Sequence, residues 1–443
     1  MIPCEHSVVL SLYSQIAPGP LFRQLQRNLG MNVHDGIYSP RVLIWMMLEE
    51  RWDAEGTVAG SVRRLAEGDF DCLLSECKRA RTKRISLATG GYCQARQHLP
   101  KMLIERTMEA LIQTLRQTLQ SRLGKAGGSV YVIDGTSIQL TDANLADEYP
   151  SGRNQHRRSH WPLTRMVVVQ DVETGLAERP SWGPQNGPEA VSEQALADQA
   201  LAALPAGSVV IGDRNFGVFS TAYACHLRGQ PVIVRLTEKR ATALVGHIAA
   251  EGSQPLQWRP STFERRKRAD LLETAAVPGR LIACRVGKGK HKQWLYLFTT
   301  WEIADSAVVE WYGKRWNVES DLRCLKQTLR LQRINVRSTD MLDKELLAAM
   351  IGYNLVRAVM CLAAHVARVQ PRQLSFTRAY GIVHSYYPKV LNAPTYEAQL
   401  REFERMVDWV AQCKLYPRSK TKTYPRRIWP KTRSYPFHRL PEN

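Results

Sequence analysis

The sequence predicts an α/β core with a β-rich insertion, placed between an all-α N-terminal region and a C-terminal region that is helical and basic. Two short apolar, β-branched runs each close on an aspartate, at 129–134 and 208–213, and a helical pattern covers about 189–204 between them. Extended chain with glycine and charged turns fills about 231–300. Strands followed by strand–helix alternation are typical of a sheet covered by helices.

Helical periodicity dominates residues 1–124, where apolar runs cover 39–52 and 102–123. The stretch 77–84 between these runs carries five cations in eight residues. It predicts either a contact to a DNA backbone or a solvated linker, and the pattern leaves both open. No clean helix-turn-helix signature occurs in the N-terminal region, so its interpretation as a DNA-binding region rests on its position in the chain.

The core is predicted over residues 125–370 and contains the β-rich segment. Its two apolar runs place Asp134 and Asp213 next to glycines, which predicts buried strands whose acids emerge where the strands end. A turn-forming aspartate beside glycine is the alternative for either residue alone. With a third acid, Glu319, further along a strongly basic chain, the set predicts a carboxylate cluster that binds two metal ions.

The segment from 311 to 326 is predicted to be one helix with a polar stripe. At about 100° per residue, Tyr312, Arg315, Glu319 and Lys326 fall on the same side. A carboxylate between cations and a phenol suits metal-assisted chemistry on a phosphodiester. A salt-bridge ladder on a solvated helix is the alternative. The adjoining side is apolar and anchors the helix, so the polar stripe lies at the edge of the core; the apolar residues are Trp311, Val318, Leu322, Leu325 and Leu329.

Together these residues resemble a known family. The pattern of two aspartates followed by Y-x2-R-x3-E-x6-K is similar to the DDE transposases of bacterial insertion sequences, in the subgroup named after insertion sequence four. The signature fits at all four positions, and Phe216 supplies the aromatic residue that usually follows the second acid. The resemblance covers roughly residues 125–370, so both ends of the chain are interpreted separately.

The resemblance implies a ribonuclease-H-like core in which the three acids hold two Mg²⁺ ions, for which Mn²⁺ can substitute. It implies that DNA is cut and rejoined at transposon ends, and that the β-rich insertion helps to organise the cleaved end. Tyr312, Arg315 and Lys326 would contact phosphates near the scissile bond. Trp294 lies in a stretch similar to the strand on which a hairpin-forming member places a base-stacking tryptophan.

Charge agrees with a nucleic-acid enzyme. Lysine and arginine number 61 against 41 acids, a formal charge of +20, which favours a nucleic acid over a membrane as partner and disfavours a glycan hydrolase. The resemblance implies that this nucleic acid is double-stranded DNA, both the transposon ends and the target. The alternative is a soluble protein that is basic overall without binding a nucleic acid. The glycine-lysine stretch 287–292 lacks the spacing of a phosphate-binding loop, so no nucleotide cofactor is expected. A homodimer assembled on DNA is expected from the resemblance.

The C-terminal region, 371–443, combines a helix at about 396–413 with a basic tail, 414–443. Tyr-Pro motifs alternate with lysine and arginine in this tail, and Glu442 is its only acid. Proline at this density excludes helix. An extended chain of tyrosines and cations can follow a nucleic-acid backbone and stack on exposed bases. A flexible, solubilising tail is the alternative.

The sequence favours a cytoplasmic, nucleoid-associated bacterial protein. Its nine cysteines form no C-x2-C pair, the N-terminus lacks a signal-peptide pattern, and polar residues interrupt the apolar segment 346–369, which is typical of a core helix. Two other functions stay open for this chain. It would be a structure-specific nuclease if it cuts without joining, or a domesticated DNA-binding protein if it is catalytically silent.

Overall fold

The structure is a computed structural model. It describes residues 4–16, 19–31, 36–53, 56–74, 77, 80, 82, 85–120, 129–153, 157–248, 250–267, 271–287, 293–415 and 437–439. Most of the cationic stretch 77–84, the hairpin tip 288–292 and nearly all of the tail 414–443 lie outside these residues. The predictions made for those three segments therefore stay predictions.

Helices account for the regular structure described in the N-terminal region. They are α1 (Cys4–Gln15), α2 (Gly19–Asn28), α3 (Pro40–Trp52), α4 (Val58–Glu67), α5 (Gly90–His98) and α6 (Lys101–Gln120). Pro40 stands in the first turn of α3, where its missing N–H costs nothing. The Thr57 side chain accepts a hydrogen bond from the Gly60 N–H and so caps α4. The two long runs predicted at 39–52 and 102–123 correspond to α3 and α6.

One mixed sheet contains all the described strands. They are β1 (Val130–Leu140), β2 (Ser151–Arg153), β3 (Arg157–Asp171), β4 (Ser181–Pro184), β5 (Val209–Gly212), β6 (Val232–Leu236), β7 (Gly252–Trp258), β8 (Val277–Val286), β9 (Gln293–Thr299), β10 (Arg333–Ile334) and β11 (Phe437–Arg439). The order is β11-β3-β1-β5-β6-β9-β8-β7, with β2 and β4 on β3 and β10 on β1.

The centre of the sheet has the predicted α/β alternation. Strand β3 runs antiparallel to β1, whereas β5 and β6 run parallel to it. Parallel neighbours need crossover connections, and helices supply them. These are α7 (Glu193–Ala202), before β5, and α8 (Phe219–Leu227), between β5 and β6. Strand β9 pairs antiparallel with β6, so the predicted β-rich segment continues the same sheet.

The remaining helices follow or interrupt the β-rich segment. They are α9 (Glu238–Val245), α10 (Thr262–Lys267), α11 (Asp305–Gly313), α12 (Trp316–Arg323), α13 (Thr339–Val366), α14 (Phe376–Asn392) and α15 (Tyr396–Ala411). Helix α13 packs against α3, α6, α14 and α15. The helices on both sides of the sheet region in sequence therefore share one hydrophobic core.

Helix α13 is long and apolar enough to cross a membrane, yet 94% of its apolar window is buried inside the protein. Charged side chains within it are also buried and paired. Glu345 binds Arg51 of α3, and it lies 3.1 Å from the Arg96 guanidinium of α5. Burial and internal ion pairing identify α13 as the core helix that the sequence predicted at 346–369, with its start at Thr339.

The two faces of the sheet contact different cores, because side chains alternate along a strand. Val132 and Ile211 face the core shared with α12 and α13, whereas Ile133 and Val210 face the core of α7 and α8. The same alternation directs position 134 of β1 toward the side of α12. The alternation of burial thus decides which helix can act together with the acid of β1.

Candidate active site

Asp134 and Asp213 are neighbours because β1 and β5 are parallel and Ile133 pairs with Gly212. Asp213 directly follows β5, as predicted. Asp134, by contrast, lies in the middle of β1, so the prediction that both acids stand at strand ends is wrong for Asp134. The reason is that β1 is longer than β5. Beyond Asp134, β1 remains paired with β3, and its Gln139 pairs with β10.

The environment of Asp134 disfavours the ionised form of its carboxyl group. Burial raises the pKa of Asp134 to about 6, the hydrogen bond from the Gly135 N–H opposes this rise, and the charge of Asp213 adds to it. The Gly135 N–H lies 2.8 Å from Asp134 Oδ1. Two adjacent, partly desolvated carboxylates are the donor set that a divalent cation stabilises. The pair therefore fits a Mg²⁺ ion chemically.

The loop after Asp213 is fixed by a carboxylate that the sequence did not predict. The Asn215 N–H donates to Asp213 Oδ1 at 2.8 Å, and the Asn215 side-chain amide donates to Glu193. Glu193 is the first residue of α7, and its Oε1 lies 3.8 Å from Arg165 Nε. A Cβ on Gly135 would lie 2.7 Å from Glu193 Cδ, so glycine at this position makes room for Glu193.

The segment 311–326 is not one regular helix, which corrects the helical-wheel prediction. Helix α11 ends at Gly313, the Arg315 N–H turns back to the Tyr312 carbonyl, and α12 begins at the next residue. A π-helical turn then follows at Cys324–Thr328. Glycine weakens a helix interior, and a π turn changes the number of residues per turn. A wheel drawn at one constant angle therefore does not describe this segment.

Part of the polar stripe nevertheless forms. Arg315 Nη2 lies 3.4 Å from Glu319 Oε1, and the Arg315 guanidinium carbon lies 5.8 Å from the centre of the Tyr312 ring. The Arg315 Nε–H and the Tyr312 hydroxyl are buried, and neither has an acceptor among the described residues. Burial also raises the pKa of Tyr312, while Arg315 and Arg235 oppose this rise. Two buried donors without acceptors favour an anionic ligand at this point.

Lys326 lies in the π-helical turn near the first acid. Burial lowers the pKa of Lys326, and the negative charge of Asp134 opposes this shift. The predicted apolar side of the segment is buried at Val318, Leu322 and Leu325. These contacts hold α12 against β1, the strand of Asp134.

The carboxylate of Glu319 does not converge with those of Asp134 and Asp213 in this structure. Its side chain is 47% exposed and contacts Arg315. Among the described residues, no three His, Cys, Asp or Glu side chains converge closely enough to hold a metal ion. The structure thus brings Asp134 and Asp213 together and places the helix of Glu319 beside them, without closing the three-acid set.

Trp294 lies beyond the same ends of the central strands as Asp213. Because β6 ends at Leu236, opposite Tyr296, the start of β9 extends beyond that end. The Trp294 ring stacks on Tyr296 at 5.9 Å between centres, and the Arg285 guanidinium carbon lies 4.7 Å from the Trp294 ring. Trp294 therefore contacts one aromatic and one cationic side chain of the β-rich insertion.

Two residues near the site had weaker sequence signals. Glu193 follows Ser192, whose side chain caps α7, and an acid after a serine is a common helix start. Arg235 interrupts the buried run of β6 and acts electrostatically on Tyr312. A lone charge in an apolar strand was the available signal for Arg235.

A paired aspartate site on a mixed α/β sheet, with a cationic signature helix beside it, defines the class of protein. Residues 125–355, more than half of the chain, match the family model described as the transposase DDE domain. The chain belongs to this family and is a metal-dependent DDE transposase with a ribonuclease-H-like core. It is similar to the transposase InsG for insertion sequence element IS4 of Escherichia coli (strain K12), with 23% identity over 366 residues, 79% of this chain and 78% of that relative.

Proposed function

We propose that the chain binds the ends of its own mobile element and carries out cut-and-paste transposition through Asp134, Asp213 and Glu319. The observation that carries this proposal is the Asp134–Asp213 pair, set on adjacent parallel strands beside the helix of Glu319. When bound there, Mg²⁺ supplies activation of water or of a 3′ hydroxyl and stabilisation of the leaving oxygen. Mn²⁺ substitutes for it, and no nucleotide cofactor is used.

The protein groups around the metals position DNA. Arg315 and Tyr312 offer their free buried donors to a phosphate next to the scissile bond, and Lys326 places a second cation beside Asp134. Glu319, which contacts Arg315 in the structure, would be free to act as the third metal ligand once Arg315 binds a phosphate. Trp294 stacks on a displaced base if the ends are cut through a hairpin.

The rest of the chain supplies affinity and assembly in this proposal. The helical region 1–124 and the basic tail 414–443 bind DNA, in keeping with the formal charge of +20. Two copies assemble on paired ends, and the protein works in the bacterial cytoplasm at the nucleoid. Helix α13, buried inside the protein, gives no support to a membrane location.

The test is incubation of the purified protein with its own end sequence, a target plasmid and Mg²⁺. Nicks, hairpins and joined products are scored separately. Joined products that need Mg²⁺ and disappear in Asp134→Ala, Asp213→Ala and Glu319→Ala, with end binding nearly intact, support the proposal. Cutting without any joining would identify a nuclease instead, and undiminished cutting by one variant would remove that acid from the site.

A further inference from the structure

We propose that Asp321, clamped by Arg357 and Arg372, is a positioning residue that holds α12 and thereby Glu319 at the active site. This inference rests on the proposed role of Glu319 as a metal ligand. Asp321 lies two residues beyond Glu319, at a position that the transposase signature leaves unspecified.

Asp321 is buried and doubly paired. Its side chain is 3% exposed, and its two oxygens accept from different arginines. Oδ1 accepts from Arg357, and Oδ2 lies 2.5 Å from Arg372 Nη1. Charge-assisted hydrogen bonds of this kind are short, strong and directional. The carboxylate therefore fixes both the position and the rotation of α12.

Both arginines are themselves held, Arg357 by a residue of its own helix and Arg372 by the end of β3. Arg357, on α13, donates from Nε to the Tyr353 hydroxyl at 2.9 Å. Arg372, after α13, donates from Nη2 to the carbonyl of Asp171 at 2.9 Å and from Nε to the carbonyl of Val172. The clamp thus ties α12 to the long core helix and to the end of β3.

Helix α12 needs such an external support. It has eight residues, with a tight turn before it and a π-helical turn after it. Isolated helices of this length are not stable in water. Side chains two residues apart on a helix point in directions about 200° apart. Because Asp321 points into the protein, Glu319 points outward. Without the clamp, α12 would keep its apolar contacts with β1 but lose the directional bonds that fix its rotation and so the direction of Glu319.

The competing explanation is that the ion cluster contributes only to global stability. Breaking a buried ion pair destabilises a protein wherever the pair lies. Arg116 and Glu178 form a suitable comparison, because they are 2.6 Å apart and join α6 to the chain after β3. Their side chains are 23% and 7% exposed, against 12% and 3% for Arg372 and Asp321, so both pairs are largely buried. Arg116→Gln therefore controls for stability without touching α12.

The experiment compares Arg372→Gln, Arg116→Gln and the unchanged full-length protein, with Asp321→Asn as a second clamp variant. Hydrogen exchange of the amides 316–323 is measured without DNA. Mn²⁺ binding is measured by titration calorimetry on the complex with end DNA, in which Glu319 is proposed to be a metal ligand. The Mg²⁺ concentration that gives half-maximal cleavage of end DNA is measured below the melting temperature of every variant. Removing a residue that orients a metal ligand typically weakens metal binding by about 10- to 100-fold.

We expect both clamp variants to exchange faster at 316–323 and to need about tenfold more metal, while Arg116→Gln changes neither. Unchanged exchange at 316–323 would overturn the inference. Faster exchange with the same metal requirement would overturn it too, since the clamp would then hold the helix without positioning Glu319. An unchanged protein that shows no metal-dependent cleavage at all would instead refute the proposed function, which separates the two failures.

Discussion

Replacement of Arg315 by alanine should slow cleavage far more than it weakens end binding. Arg315 has an 8% exposed side chain, contacts Glu319, and keeps one buried donor without an acceptor among the described residues. We infer that this donor and its neighbours bind the phosphate beside the scissile bond. The variant cannot form that hydrogen bond but keeps Asp134 and Asp213.

The expected size follows from the strength of the hydrogen bond that the variant removes. A hydrogen bond to a charged group contributes about 1.5 to 3 kcal/mol. If the full amount is missing in the transition state, the rate falls by about 10- to 150-fold. Arg315→Lys should recover little of this rate, because an ammonium group does not reproduce the planar fork of the guanidinium.

The assay is single-turnover cleavage of intact and pre-nicked ends, with end affinity measured in parallel. Lys314→Ala is the matched control, because Lys314 is the adjacent cation and pairs with Glu310 at 3.6 Å on α11. The control should stay within about twofold of the unchanged protein, since exposed ion pairs contribute little. Equal reductions in rate and affinity for Arg315→Ala, or equal effects of both variants, would refute the phosphate role.

Three further predictions concern the hairpin step, the tail and the pH dependence of stability. Trp294→Ala should slow hairpin formation and leave first nicking unchanged, in the same single-turnover assay. Truncation before Lys414 removes nine cations and should flatten the plot of log affinity against log salt, by about one unit for each phosphate that the tail neutralises; an unchanged slope would mean a solubilising tail. Burial, and next the charge of Glu345, raise the pKa of Glu50 to about 7 from an ordinary value of 4.5, so this group costs folding stability as pH rises from about 4.5 to 7. Glu50→Gln should thus gain stability relative to the unchanged protein across that window in denaturant titrations, and a constant difference would contradict the shift.

Much of the fold was predictable because local patterns and burial agree. The apolar period of α3 and α6 and the β-branched runs of β1 and β5 each correspond to a buried face. The parallel pairing that sets Asp134 beside Asp213 joins segments about eighty residues apart in sequence, and periodicity carries no information on such pairing.

The active site was predictable as residue types in a family pattern and less so as geometry. The segment breaks at Gly313 and contains a π turn that carries Lys326, so a uniform helical wheel does not describe it. The Asp321 clamp is also invisible in sequence, because its arginines come from α13 and from the chain after it. Tertiary contacts, which no single segment encodes, form this clamp.

The central claim is that Asp134, Asp213 and Glu319 hold the catalytic metals together once DNA is bound. Anomalous scattering from Mn²⁺ in crystals of the protein with its own end DNA tests this claim directly. We expect manganese between Asp134 and Asp213, with Glu319 turned from Arg315 to a coordinating distance of about 2.1 Å, as in Mg²⁺ sites. Manganese held by the aspartates alone, with Glu319 still on Arg315, would contradict the claim.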